Sequence, residues 1–178
     1  PSRVIARLRQ LAPPDTVLTL DTGAHKLLAG QLWPCYQPQT FFVSHGLSTM
    51  GVALPAAIAL KLEQPDRPVI AVTGDGGLAM VLGELETAWR LRLPVVVLVM
   101  CDQALHLIRL HQERKGFPAA GVDFDPIDFA GVAHGLGARG MRAVTWEAFD
   151  AAVSEALRAD GPAVIEVAID PAEYNRLL

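Results

Sequence analysis

The sequence is poor in cysteine. Cys35 and Cys101 are its only two, and they form no Cys-x-x-Cys pair. That excludes a disulfide framework and a thiolate metal site, and it fits a chain of the reducing cytosol. Long apolar runs are also missing. The longest, such as Pro94 to Met100, have strand length, whereas crossing a bilayer takes roughly 18–20 apolar residues. Charge is sparse as well: 19% of residues are charged, and 15 Lys+Arg against 19 Asp+Glu leave a net charge of −4. This balance argues against a general nucleic-acid binder. No Gly-x-Gly-x-x-Gly follows the first expected strand, and no acidic residue stands at the matching ribose position, which disfavours a dinucleotide-dependent oxidoreductase. The chain opens on Pro1 rather than Met and lacks a basic-then-apolar leader. The expectation is that it was cut from something longer.

What remains is rich in core-forming residues. With 178 residues, 51% of them hydrophobic, the chain suits a single domain over residues 1–178 and excludes disorder. Short β-branched runs alternate with helical patterns. Strands are expected at Thr16–Leu20, Phe41–Ser44, Pro68–Thr73, Pro94–Met100, Met141–Val144 and Ala163–Ile169. Helices are expected at Ala24–Leu32, from near Met50 to Leu62, and at Leu78–Leu93, where Leu78, Val81, Leu82, Leu85 and Trp89 share a face. Further helices precede the last two strands. The run Pro94–Met100 shows no alternation and should be buried on both faces. The fold class is therefore α/β: a six-stranded, mostly parallel sheet with helices on both faces. Glu113–Asp125, rich in Gly, Pro and Ala, reads as a mobile loop.

Ligands of open α/β sheets sit beyond the carboxyl ends of the strands. Three segments put polar or glycine residues there: Asp21-Thr22-Gly23-Ala24-His25, Gly74-Asp75-Gly76-Gly77 and Cys101-Asp102-Gln103-Ala104. Asp75 and Asp102 offer hard oxygen ligands, and the glycines let backbone N–H groups approach an anion. Mg²⁺ is usually held by one or two carboxylates together with substrate phosphates, so the set suits a Mg²⁺–diphosphate site. Either Asp alone could equally cap a helix or shape a turn. Taken together they favour the metal, because one helix and one strand separate them and return the chain to the same edge.

The order of these motifs resembles the thiamine diphosphate enzymes. That family carries Gly-Asp-Gly, a run of similar length, and a closing Asn-Asn or Asn-Asp pair. Here Gly74-Asp75-Gly76 is followed by Gly77–Met100 and then Cys101-Asp102. SHGLSTMGVALPAAIAL (Ser44–Leu60), GDGGLAMVLGELETAWRLRLPVVVLV (Gly74–Val99) and GPAVIEVAID (Gly161–Asp170) look like the C-terminal, diphosphate-binding domain of the acetolactate synthase and pyruvate oxidase branch. The resemblance implies a thiamine-diphosphate-binding fold and the cofactors thiamine diphosphate and Mg²⁺. Asp75 and Asp102 would ligate the metal by side chain and Ala104 by its carbonyl. Gly74, Gly76, Gly77 and His25 would face the diphosphate. Met50 would wedge the cofactor into a bent shape. Ser48 would offer its carbonyl to the aminopyrimidine, and Met50 its N–H. The bend brings the amino group against the thiazolium carbon that loses a proton.

The resemblance further implies a cytoplasmic enzyme acting on a small 2-keto acid by decarboxylation or carboligation. It implies a homodimer or homotetramer, with no nucleic-acid or membrane partner. The activating Glu of the family lies on an N-terminal pyrimidine-binding domain of the same or a neighbouring subunit, and nothing in this sequence matches it. The chain alone is expected to be inactive. Its close, VIEVAIDPAEYNRLL, looks like a C-terminus of the family. Cys101 departs from the usual Asn, and His106 stands where related synthases often have Gly. Both features support an alternative, a non-catalytic assembly or regulatory relative with a weakened site. A phosphatase or ATPase with a TGDG signature would need an aspartyl nucleophile in an earlier motif, and none is found. Asp21 reads as closing a strand, and Asp123 and Asp128 as turn and helix-cap residues. His45, His106 and His111 read as surface or loop histidines.

Overall fold

The computed structural model describes residues 1–176. Leu177 and Leu178, which end the C-terminal stretch quoted above, lie outside the described residues. Six strands, β1 (Val17–Leu20), β2 (Phe41–Val43), β3 (Val69–Gly74), β4 (Val95–Cys101), β5 (Arg139–Ala143) and β6 (Ala163–Ala168), form one sheet in the order β2-β1-β3-β4-β6-β5. Every pairing is parallel. The helices are α1 (Ser2–Leu11), α2 (Ala24–Leu32), α3 (Ala53–Glu63), α4 (Asp75–Ala79), α5 (Glu84–Arg90), α6 (His106–Arg114), α7 (Phe129–Gly135) and α8 (Trp146–Ala156), with a 3₁₀ turn at Pro171–Arg176.

The two-residue period of a strand divides the core in two. Leu18, Ile70, Val96, Leu98 and Ile165 pack on one face with α1, α2 and α8. Val17, Ala71, Val95, Val97 and Val164 pack on the other with α3, α5 and α7. Because both faces are covered, Val95 to Met100 of β4 are all buried, as the unbroken apolar run implied.

Two helix boundaries differ from the sequence reading. The segment expected as one helix over Leu78–Leu93 is two, and its first turn begins at Asp75. Amide-to-carbonyl bonds three residues back (Val81 to Leu78, Glu84 to Val81, Glu86 to Gly83) tighten the chain between α4 and α5. Trp89, on α5 with buried Leu85, is half exposed and lies against Gly137 and Gly161. The helix expected from near Met50 starts only at Ala53, since Ser48 (φ 48°) and Gly51 (φ 80°) hold left-handed backbone that no helix continues. The loop read over Glu113–Asp125 loses Glu113 and Arg114 to the end of α6. Its far end folds back: Leu105 N–H donates to the Val122 carbonyl at 2.8 Å, and Ala104 bridges Asp123.

Candidate functional site

The strand order reverses between β1 and β3, since β2 lies outside β1 while β4 and β6 continue on the far side. Crevices form at such switch points. A cavity of about 210 Å³ opens there, and the loops after β1, β2, β3 and β4 line it. His25, Ser48, Met50, Gly74, Asp75, Gly76, Gly77, Asp102 and Ala104 all contribute to its wall, so the structure brings the sequence-derived set together.

Asp75 is buried and ties two loops. Its Oδ1 accepts from the Gly76 N–H at 2.8 Å, and its Oδ2 accepts from the Asp102 and Gln103 N–H groups at 3.0 and 2.7 Å. These bonds hold the loop after β4 against the turn after β3. The Cys101 thiol itself reaches the Val99 carbonyl of its own strand at 3.8 Å. Asp102 Oδ1 accepts from the Ala104 N–H at 3.3 Å. A carboxylate has about four lone-pair positions, so both Asp75 and Asp102 keep unfilled ones. Burial, and then the nearby charge of Asp75, push the Asp102 carboxyl up to about 6. Burial also raises Asp75. Two buried carboxylates, one raised by the charge of the other, beside a cavity are the environment a divalent cation relieves.

Glycine is required where the walls close in. A Cβ on Gly76 would stand 2.7 Å from the Leu105 side chain and 3.7 Å from the Met50 methyl. One on Gly77 would stand 2.7 Å from Asp21 Oδ2. His25 is wedged between Gly23 and Gly74, whose added Cβ atoms would come within 2.7 and 3.4 Å of its ring. The imidazole is buried. Burial lowers its pKa to about 4, against an opposing hydrogen bond to the Asp21 backbone. It is neutral at pH 7, and its buried Nε2 has no hydrogen-bond partner. The hydroxyl of Thr22, also on the cavity wall, is another buried group without one. Unpartnered buried polar atoms are uncommon and point to a missing ligand or water. The hard oxygen pair, the glycine turn and these two unfilled groups fit a metal–diphosphate group.

Four residues were missed or misplaced by sequence reasoning. His106 is not a surface residue: its side chain is 9% exposed, it lines the cavity, and its Nδ1 lies 3.8 Å from Asp102 Oδ2. Asp102 lies in the loop before α6, so no helical spacing announces this contact. Tyr174 stacks on His106 at 5.6 Å and is buried. It comes from the far end of the chain, and no local pattern announces it. Asp21 does more than close a strand, since it accepts hydrogen bonds from Thr22, Gly51 and Thr73. Lys26 reaches across to the loop after β2. His45 and His111 are exposed, and Asp128 caps α7, as expected. Asp123 pairs with Arg109.

Fold and site together define a parallel α/β domain with a cavity lined by carboxylates and glycines at its topological switch. Residues 21–167 match the C-terminal TPP binding domain of thiamine pyrophosphate enzymes, and the chain belongs to that family. It is 37% identical over 169 residues to YdaP, a thiamine pyrophosphate-containing protein of Bacillus subtilis (strain 168), covering 95% of this chain and 29% of that one. Acetolactate synthase of the same organism is 34% identical over 170 residues, covering 96% and 30%. Among solved structures, the thiamine diphosphate-dependent 4-hydroxybenzoylformate decarboxylase of Rhodococcus jostii RHA1 superposes with a TM-score of 0.89 at 28% identity, over 95% of this chain and 32% of that one. The chain thus spans under a third of the length of the curated relatives described here. Among the described residues no helix is long and apolar enough to cross a membrane.

Proposed function

We propose that the chain is one domain of a longer thiamine-diphosphate-dependent enzyme acting on 2-keto acids, and that it holds the Mg²⁺–diphosphate half of the cofactor. The observation that carries this is the convergence of Asp75 and Asp102 on one cavity with the Gly76–Gly77 turn and the unpartnered His25 Nε2. Asp75 and Asp102, with the Ala104 carbonyl, would take the cation. The Gly77 N–H and His25, as its Nε2–H tautomer, would take the diphosphate oxygens beside Gly76, whose own N–H donates to Asp75. Ser48 and Met50 would orient the pyrimidine, and Met50 would enforce the bend. When bound, the cofactor supplies a nucleophilic carbon and an electron sink for decarboxylation or carboligation. A pyrimidine-binding domain of the same or a neighbouring subunit would add the activating carboxylate. A homodimer or homotetramer and a cytoplasmic setting follow from the same reading, and the chain alone would perform no complete turnover.

Cys101 and His106 favour one second reading, a non-catalytic assembly relative. Calorimetry of thiamine diphosphate and Mg²⁺ binding to the complete enzyme separates the two. The proposal expects metal-dependent binding that Asp75→Ala or Asp102→Ala abolishes. A well-folded enzyme that binds neither metal nor cofactor would favour the assembly relative.

A further inference from the structure

Resting on that reading of the cavity, we propose that Asp21 and Lys26 act as a positioning pair that sets the separation between the diphosphate cradle and the loop carrying Ser48 and Met50. The cradle (Gly76–Gly77) follows β3, whereas the loop follows β2, two strands away in the sheet. The segment after β1 lies between them and contacts both. Asp21 Oδ2 accepts from the Thr73 hydroxyl at 2.7 Å and packs so closely on Gly77 that a Cβ there would collide with it. The same carboxylate accepts the Gly51 N–H, at 2.8 Å to Oδ1 and 3.1 Å to Oδ2. One buried side chain therefore touches the cradle and the end of the loop. Five residues on, Lys26 Nζ donates to the Ser44 carbonyl at 2.6 Å and to the Ser48 hydroxyl at 3.2 Å. Ser48 has left-handed backbone, φ 48°, which a non-glycine residue holds only where its surroundings enforce it. Lys26 ties both ends of that turn. His25, the group facing the diphosphate side, stands beside Lys26 on α2, so a shift of this helix would move the cavity wall and the loop together.

A clamp of this kind makes a specific demand. The pair matters for a ligand that spans the cradle and the loop, and Lys26 is irrelevant to one that occupies the cradle alone. Binding of thiamine diphosphate and of inorganic diphosphate, each with Mg²⁺, is measured by calorimetry on the complete enzyme, wild type and with Lys26→Met or Lys26→Arg. Two hydrogen bonds from a charged donor are lost in Lys26→Met. Thiamine diphosphate affinity should fall about tenfold or more, while inorganic diphosphate affinity stays within about twofold. Lys26→Arg should recover most of the loss. In the ligand-free protein, amide hydrogen exchange at residues 48–51 should accelerate in Lys26→Met. An equal fall for both ligands, or no fall for either, overturns the proposal. If the wild type binds diphosphate but not thiamine diphosphate, the cofactor reading fails instead, and unchanged amide exchange in Lys26→Met then overturns the clamp by itself.

Discussion

At the scale of single residues, His25 shows how burial sets chemistry. Its ring is held between two glycines and is neutral because solvent is excluded, with a pKa near 4 against 6.5 in an unfolded chain. The unfolded chain takes up the proton more readily between these values, so stability rises with pH across that window. The contribution is fully present above pH 6.5 and is lost as pH falls through about 4. A shift of this size corresponds to something on the order of 3 kcal/mol. Asp102 works in the opposite sense: its folded pKa is raised to about 6, so its neutral form favours the fold at low pH and that advantage fades as pH rises through 6. The two partly cancel in the wild type. Replacing His25 by Gln removes its rising component while Asp102 and the other shifted carboxyls titrate as before. Between pH 4 and 6.5 the urea midpoints of His25→Gln should therefore rise less, or fall more, than those of the wild type. Parallel profiles would mean that His25 does not titrate as described.

At the scale of elements, the turn between β3 and α4 is the part most tightly built. Gly77→Ala forces its methyl against Asp21, whose carboxylate is pinned by Thr22, Gly51 and Thr73 and cannot step aside. A loss of about 1–3 kcal/mol in urea unfolding is expected. Gly83 has helical backbone and open space where its Cβ would go. Gly83→Ala should therefore stabilise by about 0.4–1 kcal/mol. The same substitution should have opposite signs six residues apart, and equal effects would contradict this account of the turn.

The elements were legible where local pattern decides them. The apolar run of β4, the alternation of β-branched runs with helical patterns and the Gly-Asp-Gly turn placed the sheet and the strand-end carboxylates. The helix boundaries were not legible, because Ser48 holds left-handed backbone beside a contact from distant Lys26, and because bonds three residues back divide α4 from α5 without a proline to mark the place. The roles of Asp21, His106 and Tyr174 were hidden for a related reason: each depends on partners set by tertiary packing.

At the scale of the whole molecule, a six-stranded parallel sheet brings the loops after β1, β2, β3 and β4 to one switch point, and membership of the thiamine pyrophosphate enzyme family gives that crevice its meaning. The chain covers under a third of its acetolactate synthase relative in Bacillus subtilis. The reaction on 2-keto acids therefore belongs to the longer enzyme proposed above, and the part proposed for these residues is to hold cation and diphosphate together between β3 and β4. Electron–nuclear double resonance on the complete enzyme, loaded with Mn²⁺ in place of Mg²⁺ and with thiamine diphosphate, reads that arrangement directly. The account predicts phosphorus coupling to the bound Mn²⁺, lost in Asp102→Ala. Mn²⁺ that binds without phosphorus coupling, or coupling that survives loss of the Asp102 carboxylate, would contradict it.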